Sequence, residues 1–289
     1  MASAQNVVQK LPEFGNNMEV NMSIRVAGNA GSFYPNSAVE IKSLIEMFNN
    51  ALDNNLKDKE LLKLEPEAII SPHAGYIYSG FTANFAHRVL ANKKAKRVVV
   101  IGPSHHVYFK GISGSFYEKY QTPLGDMTID REYLHVMKQL FNIGFVAEAH
   151  KLEHSTETQM PFIKYYQPNV EVIELIYGDV DYKELAKVID WLLQDSLTTV
   201  VISSDLSHFY TEERAHSLDS ICINGIEKLD NDILDMGCEA CGIIGIKALV
   251  ENAKDENLKS TILDYRTSGD ITNDKERVVG YLSVAFTSS

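Results

Sequence analysis

Hydrophobic and polar positions alternate between two periods from residue 25 to the C-terminus. Apolar residues recur at helical spacing in segments such as 36–55, 79–93 and 182–195, and short, uninterrupted apolar runs lie between these segments. The runs are rich in valine and isoleucine, which is typical of strands buried on both faces of a sheet. Strands that alternate with helices of this length predict a mainly parallel arrangement. We therefore expect an α/β fold: a single domain with a mostly parallel or mixed central sheet and helices on both faces.

Boundaries follow from the same pattern. Residues 1–24 show no sustained period and are predicted to form a flexible N-terminal leader, which leaves residues 25–289 as the domain. Residues 111–130 break into short alternating pieces with glycine and proline, which predicts an antiparallel excursion. Ser79 is a plausible N-cap for the helix of residues 79–93, because a serine hydroxyl there accepts a bond from a free backbone N–H.

Composition and charge exclude several classes of function. With 45% hydrophobic residues the chain can bury a sizeable core, and a net charge of -12 argues against a nucleic-acid partner. No apolar run approaches the ~20 residues of a membrane span, and the N-terminus lacks a signal-peptide pattern. Three cysteines are too few for a disulfide framework, so a cytoplasmic location is the simplest expectation.

Three predicted strands end in short polar segments that contain histidine: 72–75 (PHAG), 102–106 (GPSHH) and 204–208 (SDLSH). The carboxyl ends of parallel strands meet at one edge of a sheet, where ligands bind in α/β proteins. A single histidine at a strand end is more often a satisfied polar group than a ligand. Three of them at equivalent ends favour a shared site, so we predict that these side chains converge.

The pattern leaves some assignments within these segments open. His105 and His106 are neighbours in an extended stretch and point to opposite faces, and the preceding Gly-Pro break hides which one faces inward. Asp205 and His208 are three residues apart, so they share one side if the loop turns helically. A carboxylate in that position orients an imidazole or binds a metal directly.

The remaining candidates are weaker. Cys238 and Cys241 form a C-x-x-C pair, which is half of a zinc site at most. Cys241 lies at the predicted start of a helix, whose dipole would favour its thiolate, whereas Cys222 falls in an apolar stripe and is predicted to be core. His154 lies in a polar segment that fits a pocket or a capped helix start equally well, and Tyr76 either lines a pocket or packs.

Seven motifs resemble those of the Memo family, also called AmmeMemoRadiSam system protein B: AGSFYP, SPHAGYIYSG, VIGPSHH, TPLGD, EHSTETQMPF, VISSDLSHF and CGIIGI. They occur in the order and spacing of that family across residues 25–289. The family is similar in fold to the class III extradiol dioxygenases of the LigB type, which are non-haem iron enzymes. The resemblance implies a LigB-like fold, and it makes radical SAM and AMMECR-type proteins candidate partners.

The resemblance also implies a metal site formed by His73, His105 and Cys241. Asp205 and His208 would lie beside it, and His208 matches the general acid-base histidine of the dioxygenases. Further pocket candidates are His106, His154 and Tyr76.

A cysteine in this set departs from the two histidines and one carboxylate of ring-cleaving dioxygenases. A thiolate favours Cu(I), Zn²⁺ or thiolate-bound iron, so we expect iron first, with copper or zinc as alternatives. The expected function is redox chemistry on an unknown small substrate. The second hypothesis is a non-catalytic scaffold that binds phosphopeptides or other peptides in the crevice, and the third is a zinc-dependent hydrolase.

Overall fold

A computed structural model describes residues 23–288 of the protein. Its strands are β1 (Ile24–Arg25), β2 (Ala68–Ser71), β3 (Arg97–Pro103), β4 (Ile112–Gly114), β5 (Lys119–Tyr120), β6 (Met127–Thr128), β7 (Glu171–Tyr177), β8 (Thr198–Ser203), β9 (His208–Tyr210), β10 (Lys259–Thr267) and β11 (Val278–Thr287). Its α-helices are α1 (Ala38–Asn55), α2 (Tyr76–Leu90), α3 (Arg131–Phe141), α4 (Ala147–Lys151), α5 (His154–Glu157), α6 (Met160–Tyr166), α7 (Tyr182–Leu193), α8 (Glu212–Glu227), α9 (Asn231–Leu234), α10 (Ile243–Asp255) and α11 (Gly269–Thr272). Most of the predicted leader, residues 1–22, lies outside the described residues.

Eight strands form one mixed sheet. Their order is β10-β11-β2-β8-β3-β7-β4, and β9 pairs with β11. The four central strands β2, β8, β3 and β7 run parallel, whereas β4, β10 and β11 pair antiparallel with their neighbours. A separate small sheet joins β1, β5 and β6, and β5 pairs antiparallel with β6 within the predicted excursion. The predicted α/β fold with a mixed central sheet is confirmed.

Both faces of the sheet are covered, because successive residues of each central strand enter different cores. In β3, Val99 and Ile101 pack in one apolar cluster with residues of α3, α7, α8 and α10, whereas Val98 and Val100 pack in another with residues of α2 and α6. All four side chains are fully buried. Each such side chain contributes roughly 1.5–3 kcal/mol by leaving water, which explains the continuous valine and isoleucine runs.

The parallel strands bring the polar segments to one edge. Ser71 of β2 lies beside Ser203 of β8 in the strand register, and β3 is the next strand along. The chain therefore leaves β2, β3 and β8 at the same edge of the sheet, and a histidine-containing segment follows at the end of each strand. Parallel pairing of sequence-distant strands thus places the site.

The predicted cap of α2 is wrong. The helix begins at Tyr76 with Gly75 as its N-cap, and Ser79 lies inside it, where its hydroxyl donates to Ala74 O at 3.0 Å. Such a bond to a carbonyl of the preceding turn is a common alternative for a helical serine. The earlier start leaves a connection of only four residues, 72–75, between β2 and α2.

Among residues 23–288, every helix is too short or too polar to cross a lipid bilayer.

Candidate functional site

His73, His105 and Cys241 meet at the carboxyl edge of the sheet. One ligand atom from each lies within 4.8 Å of the others, and His73 Nε2 is 3.2 Å from Cys241 Sγ. A tetrahedral ion with bonds of 2.0–2.3 Å holds its ligand atoms about 3.3–3.8 Å apart. Two imidazoles and one thiol at this spacing therefore fit a transition-metal ion. His73 and Cys241 are 168 positions apart in sequence.

The hydrogen bonds of Ser203 determine where the proton of His73 lies. The single hydroxyl proton of Ser203 is donated to Ser155 O at 2.5 Å, and the hydroxyl oxygen accepts from Gln159 Nε2 at 2.9 Å. His73 Nδ1, 2.9 Å from the same oxygen, must then be the donor. His73 Nε2 consequently carries a lone pair directed at Cys241. Burial lowers the pKa of His73 to about 3, which keeps the ring neutral.

His105 is oriented by the carboxylate of Glu153. His105 Nδ1 lies 2.8 Å from one carboxylate oxygen and its backbone N–H donates to the other at 2.6 Å. Burial disfavours the charge of Glu153, but the hydrogen bonds and charge of His105 outweigh it and lower the pKa of the carboxyl to about 2. Nδ1 is therefore the protonated nitrogen and Nε2 is the atom available to an ion. A carboxylate behind a histidine ligand is typical of metal sites.

A buried chain of bonds continues behind His73. Gln159 Nε2 also donates to Pro72 O at 2.9 Å, and Gln159 Oε1 accepts from His87 Nε2 at 2.7 Å. Burial lowers the pKa of His87 to about 4, so this imidazole is neutral as well. Gln159 thus fixes both the backbone before His73 and the hydroxyl that orients its ring. It is fully buried.

Cys241 is held by the backbone of the neighbouring polar segment. Its N–H donates to Asp205 O at 3.2 Å, and its sulfur accepts from Asp205 N at 3.3 Å. The expected helix dipole is outweighed by burial and by the negative charge of Asp205, which raise the pKa of the thiol to about 12. Helix α10 begins at Ile243, two residues after Cys241.

Asp205 and His208 lie beside this cluster. Asp205 Oδ1 accepts from the backbone N–H of His73 at 2.7 Å, and burial raises the pKa of the carboxyl against the opposing charges of His208 and His154. His208 is half-buried at the start of β9 and is close enough to act electrostatically on His73. Its neighbour Phe209 has a φ of 65°, a region that bulky residues rarely adopt.

Two further histidines differ in burial. The ring of His154 lies 4.5 Å from that of His105 and 5.4 Å from that of His73. Among residues 23–288 its buried Nδ1 makes no hydrogen bond, although Glu153 Oε1 lies 3.5 Å away, and burial lowers its pKa to about 4. His106 is exposed, with its ring 5.6 Å from that of His154.

Tyr76 lies apart from the cluster. It is buried against Phe162, and its hydroxyl donates to Thr158 O at 2.6 Å. Tyr76 was predicted either to line a pocket or to pack in the core, and in the structure its ring packs in the core.

The C-x-x-C pair is divided by a disulfide. Cys238 is bonded to Cys222, with the two Cα atoms 4.8 Å apart, and Cys241 remains a free thiol. Three cysteines were too few to predict a disulfide framework, and this single disulfide was not predicted, whereas Cys222 is fully buried in the core as predicted. Cysteine count and spacing could not reveal this pairing, because it depends on how the loop after α9 packs on α8.

Three of the orienting residues were missed by sequence reasoning: Glu153, Gln159 and Ser203. Glu153 and Gln159 lie in the EHSTETQMPF motif, and Ser203 begins the polar tip of β8. The signal was the density of polar residues in segments that the structure buries completely, since all three side chains are fully buried. Fully buried polar groups require partners, and here these include the imidazoles of His73 and His105.

Comparison with known proteins identifies the family of the chain. The sequence model of the Memo-like protein family matches residues 25–285. The chain belongs to the Memo family. A MEMO1 family protein of Aquifex aeolicus is 32% identical over 92% of this chain and 100% of its own length, and one of Desulfurococcus amylolyticus is 34% identical over 89% and 96%. A third Memo relative, from Archaeoglobus fulgidus, is 30% identical over 89% and 97%.

Proposed function

We propose that this Memo-family protein binds a transition-metal ion through His73, His105 and Cys241 and carries out redox chemistry on a small substrate. The observation that supports this most is the placement of two protons. In both histidines Nδ1 is hydrogen-bonded to a fixed partner, Ser203 or Glu153, so Nε2 is the nitrogen left to bind an ion. A neutral imidazole with its other nitrogen anchored is the form that binds metals.

Iron is the metal we propose first. A bound iron ion would supply a one-electron couple and, with three protein ligands, open positions for O₂ or substrate. Copper(I) and zinc also accept a thiolate with two imidazoles, so the donor atoms alone admit all three metals. In each case binding requires that Cys241 lose its proton.

His208 is the residue we propose as the general acid-base. It is half-buried, and it lies close enough to His73 and Asp205 to interact electrostatically with both. Asp205 is a positioning residue, because one oxygen holds the backbone of His73. His208 would take a proton from a bound substrate or return it, as a general acid-base histidine does.

Metal analysis tests the site. Protein purified without added metal is analysed for iron, copper and zinc, and then titrated with Fe(II) under argon. We expect stoichiometric metal in the wild type and its loss in His73→Ala and Cys241→Ser. His106→Ala is the matched control, since this exposed imidazole follows His105 directly and should leave metal content unchanged. Equal metal content in all four proteins would exclude the site.

Metal identity tests the reaction. Protein loaded with iron should consume O₂ in the presence of a substrate or reductant, and His208→Gln should slow this consumption while it retains iron. Protein loaded with zinc serves as the control and should consume none. If only the zinc form is active, and on esters or phosphate esters, the protein is a hydrolase and the redox proposal is wrong.

The second candidate function is peptide binding at the same crevice. It is favoured by exposed aromatic side chains that follow site residues closely in sequence. Phe209 is 63% exposed, and its ring lies 5.7 Å from that of His208. Tyr108, three residues after His105, is 78% exposed. Titration with phosphopeptides distinguishes the two functions. Saturable binding that Phe209→Ser abolishes, in a protein that lacks O₂ chemistry with iron, would favour this candidate.

A further inference from the structure

A disulfide lies three residues before the proposed metal-binding cysteine. Cys222, in the second half of α8, is bonded to Cys238 in the loop that connects α9 to α10. We propose that this disulfide is a redox-sensitive link that sets the metal affinity of the site through the position of Cys241. The inference rests on the proposed function, because it requires that His73, His105 and Cys241 bind a metal ion.

The disulfide attaches the loop covalently to α8. It leaves α9 through a local turn, in which Cys238 N donates to Leu234 O at 3.0 Å, and passes Gly237 at a φ of 131°, where a side chain would be strained. Asp235 adds an ion pair with Lys247, but its side chain is 63% exposed. Surface ion pairs of this kind contribute little to stability. The covalent bond is therefore the firmest connection that the loop makes before Cys241.

Displacement of Cys238 is transmitted to the site over a short distance. Only Glu239 and Ala240 separate it from Cys241, and Ala240 is buried in the core. Beyond them, Cys241 N and Gly242 N donate to Asp205 O and Ser204 Oγ, which holds the far end of the loop. With the disulfide closed, the sulfur of Cys241 is placed before any ion arrives. With it open, metal binding must also order the loop, which weakens affinity.

The chemistry of opening is thiol–disulfide exchange. Cys222 is fully buried whereas Cys238 is half-buried, so an incoming thiolate attacks the sulfur of Cys238 and releases Cys222, which takes up a proton. A second thiol of the reductant then attacks the mixed disulfide and releases Cys238 as a thiol. Two electrons pass to the protein, the reductant becomes a disulfide, and two protein thiols gain protons. A small dithiol therefore suffices as co-reactant.

The test compares metal affinity in the two redox forms. Wild-type protein is reduced with a dithiol, freed from it by desalting under argon, and titrated with Co(II), whose thiolate absorption reports on the Cys241 ligand. We expect the reduced form to bind Co(II) roughly tenfold more weakly than the oxidised form, at the lower end of the effects seen when groups that orient metal ligands are removed. Hydrogen exchange of the peptide that covers residues 235–242 should also be faster after reduction.

A variant without the disulfide separates loss of the link from new thiol ligands. Cys222→Ala combined with Cys238→Ser cannot form the bond and offers no extra sulfur, so it should match the reduced wild type and ignore the dithiol. Affinities that are equal in all forms, with Co(II) bound, would overturn the link and leave the metal site standing. A wild type that binds no Co(II) in either form would overturn the proposed function, while the exchange of residues 235–242 still tests the loop. Three free thiols in the oxidised protein would exclude the disulfide itself.

Discussion

At the scale of single residues, hydrogen-bond partners fix which nitrogen of an imidazole in the site carries the proton. Ser203 accepts from His73 Nδ1 and Gln159 Nε2 while it donates to Ser155 O. Ser203→Ala removes that acceptor, so His73 Nδ1 and an amide N–H become buried without a partner. We expect the free energy of unfolding to fall by about 1–3 kcal/mol and metal affinity to fall about tenfold, measured by urea denaturation and chelator competition.

The chain contains a matched control for this substitution. Ser71 is the strand neighbour of Ser203 on β2, it is also fully buried, and its hydroxyl has no hydrogen-bond partner. Ser71→Ala removes the same atom from an equivalent position, and it should leave both stability and metal affinity nearly unchanged. Similar losses in both variants would mean that the hydroxyl of Ser203 acts by filling space and not by orienting His73.

Glu153 supports the second imidazole in the same way. In Glu153→Gln one acceptor becomes an NH₂ group that faces a donor, either His105 N or His105 Nδ1, which now bond to different oxygens of the carboxylate. We expect metal affinity to fall 10–100-fold, measured by competition with a chelator. Glu148→Gln, an exposed change on the preceding helix, is the control. Unchanged affinity in Glu153→Gln would show that His105 needs no carboxylate.

These partners mark the limit of prediction at the residue scale. The segments that contain His73, the His105–His106 pair and His208 were predicted to converge because parallel strands end together, which is a property of the sheet, and the choice of His105 came from the family resemblance. Their hydrogen-bond partners depend on contacts between segments 48–132 residues apart, and a single sequence carries no record of such contacts. Cys241 entered the metal set through the family resemblance, since its C-x-x-C context favoured no particular role.

At the scale of elements, the position of His208 depends on how β11 meets α8. Leu206 N donates to Gly280 O and Gly280 N donates to Ser207 O, while Ser207 N donates to the buried carboxylate of Asp219. A side chain at Gly280 would overlap that carboxylate. This close approach requires glycine, and it holds the strand end that precedes His208.

Gly280→Ala should therefore destabilise the protein. Overpacking of a buried contact costs about 1–3 kcal/mol, and we expect the midpoint of urea denaturation to fall accordingly. Gly144→Ala is the control, because the nearest atom to its added methyl group is Ile112 O at 3.8 Å. If both variants unfold at the wild-type midpoint, Asp219 and β11 are less tightly packed than the structure indicates.

At the element scale the start of α2 was predicted wrongly and the cysteine pairing was not predicted, and the two share a cause. Ser79 has the residue type of an N-cap, but α2 begins three residues earlier, directly after the connection that carries His73. Cys238 has the spacing of a C-x-x-C motif, but its partner is Cys222 on α8. In both cases tertiary packing overrides a local preference. The central strands of the sheet were predicted correctly because their buried, β-branched runs express tertiary burial directly, whereas the short β1 and β9 were not predicted as separate strands.

At the scale of the whole molecule, buried neutral histidines make folding depend on pH. Burial lowers the pKa of His87 from 6.5 to about 4, and the pKa values of His73 and His154 shift in the same direction. The unfolded chain binds these protons at a higher pH than the folded chain does. Stability is therefore fully present above pH 6.5 and is lost as pH falls from 6.5 toward the folded values.

His87 allows this dependence to be isolated, because it lies away from the proposed ligands on α2. A shift from 6.5 to about 4 corresponds to about 3 kcal/mol of stability lost across that window. His87→Gln keeps an amide that can donate to Gln159 Oε1 but cannot titrate, so metal-free variant protein should lose about 3 kcal/mol less than the wild type between pH 7 and pH 4. Urea denaturation at a series of pH values measures the difference. If the free energy of unfolding falls with pH equally in the two proteins, His87 gains its proton in the folded chain at no cost in stability. The buried path from His87 through Gln159 to Ser203 would then admit water.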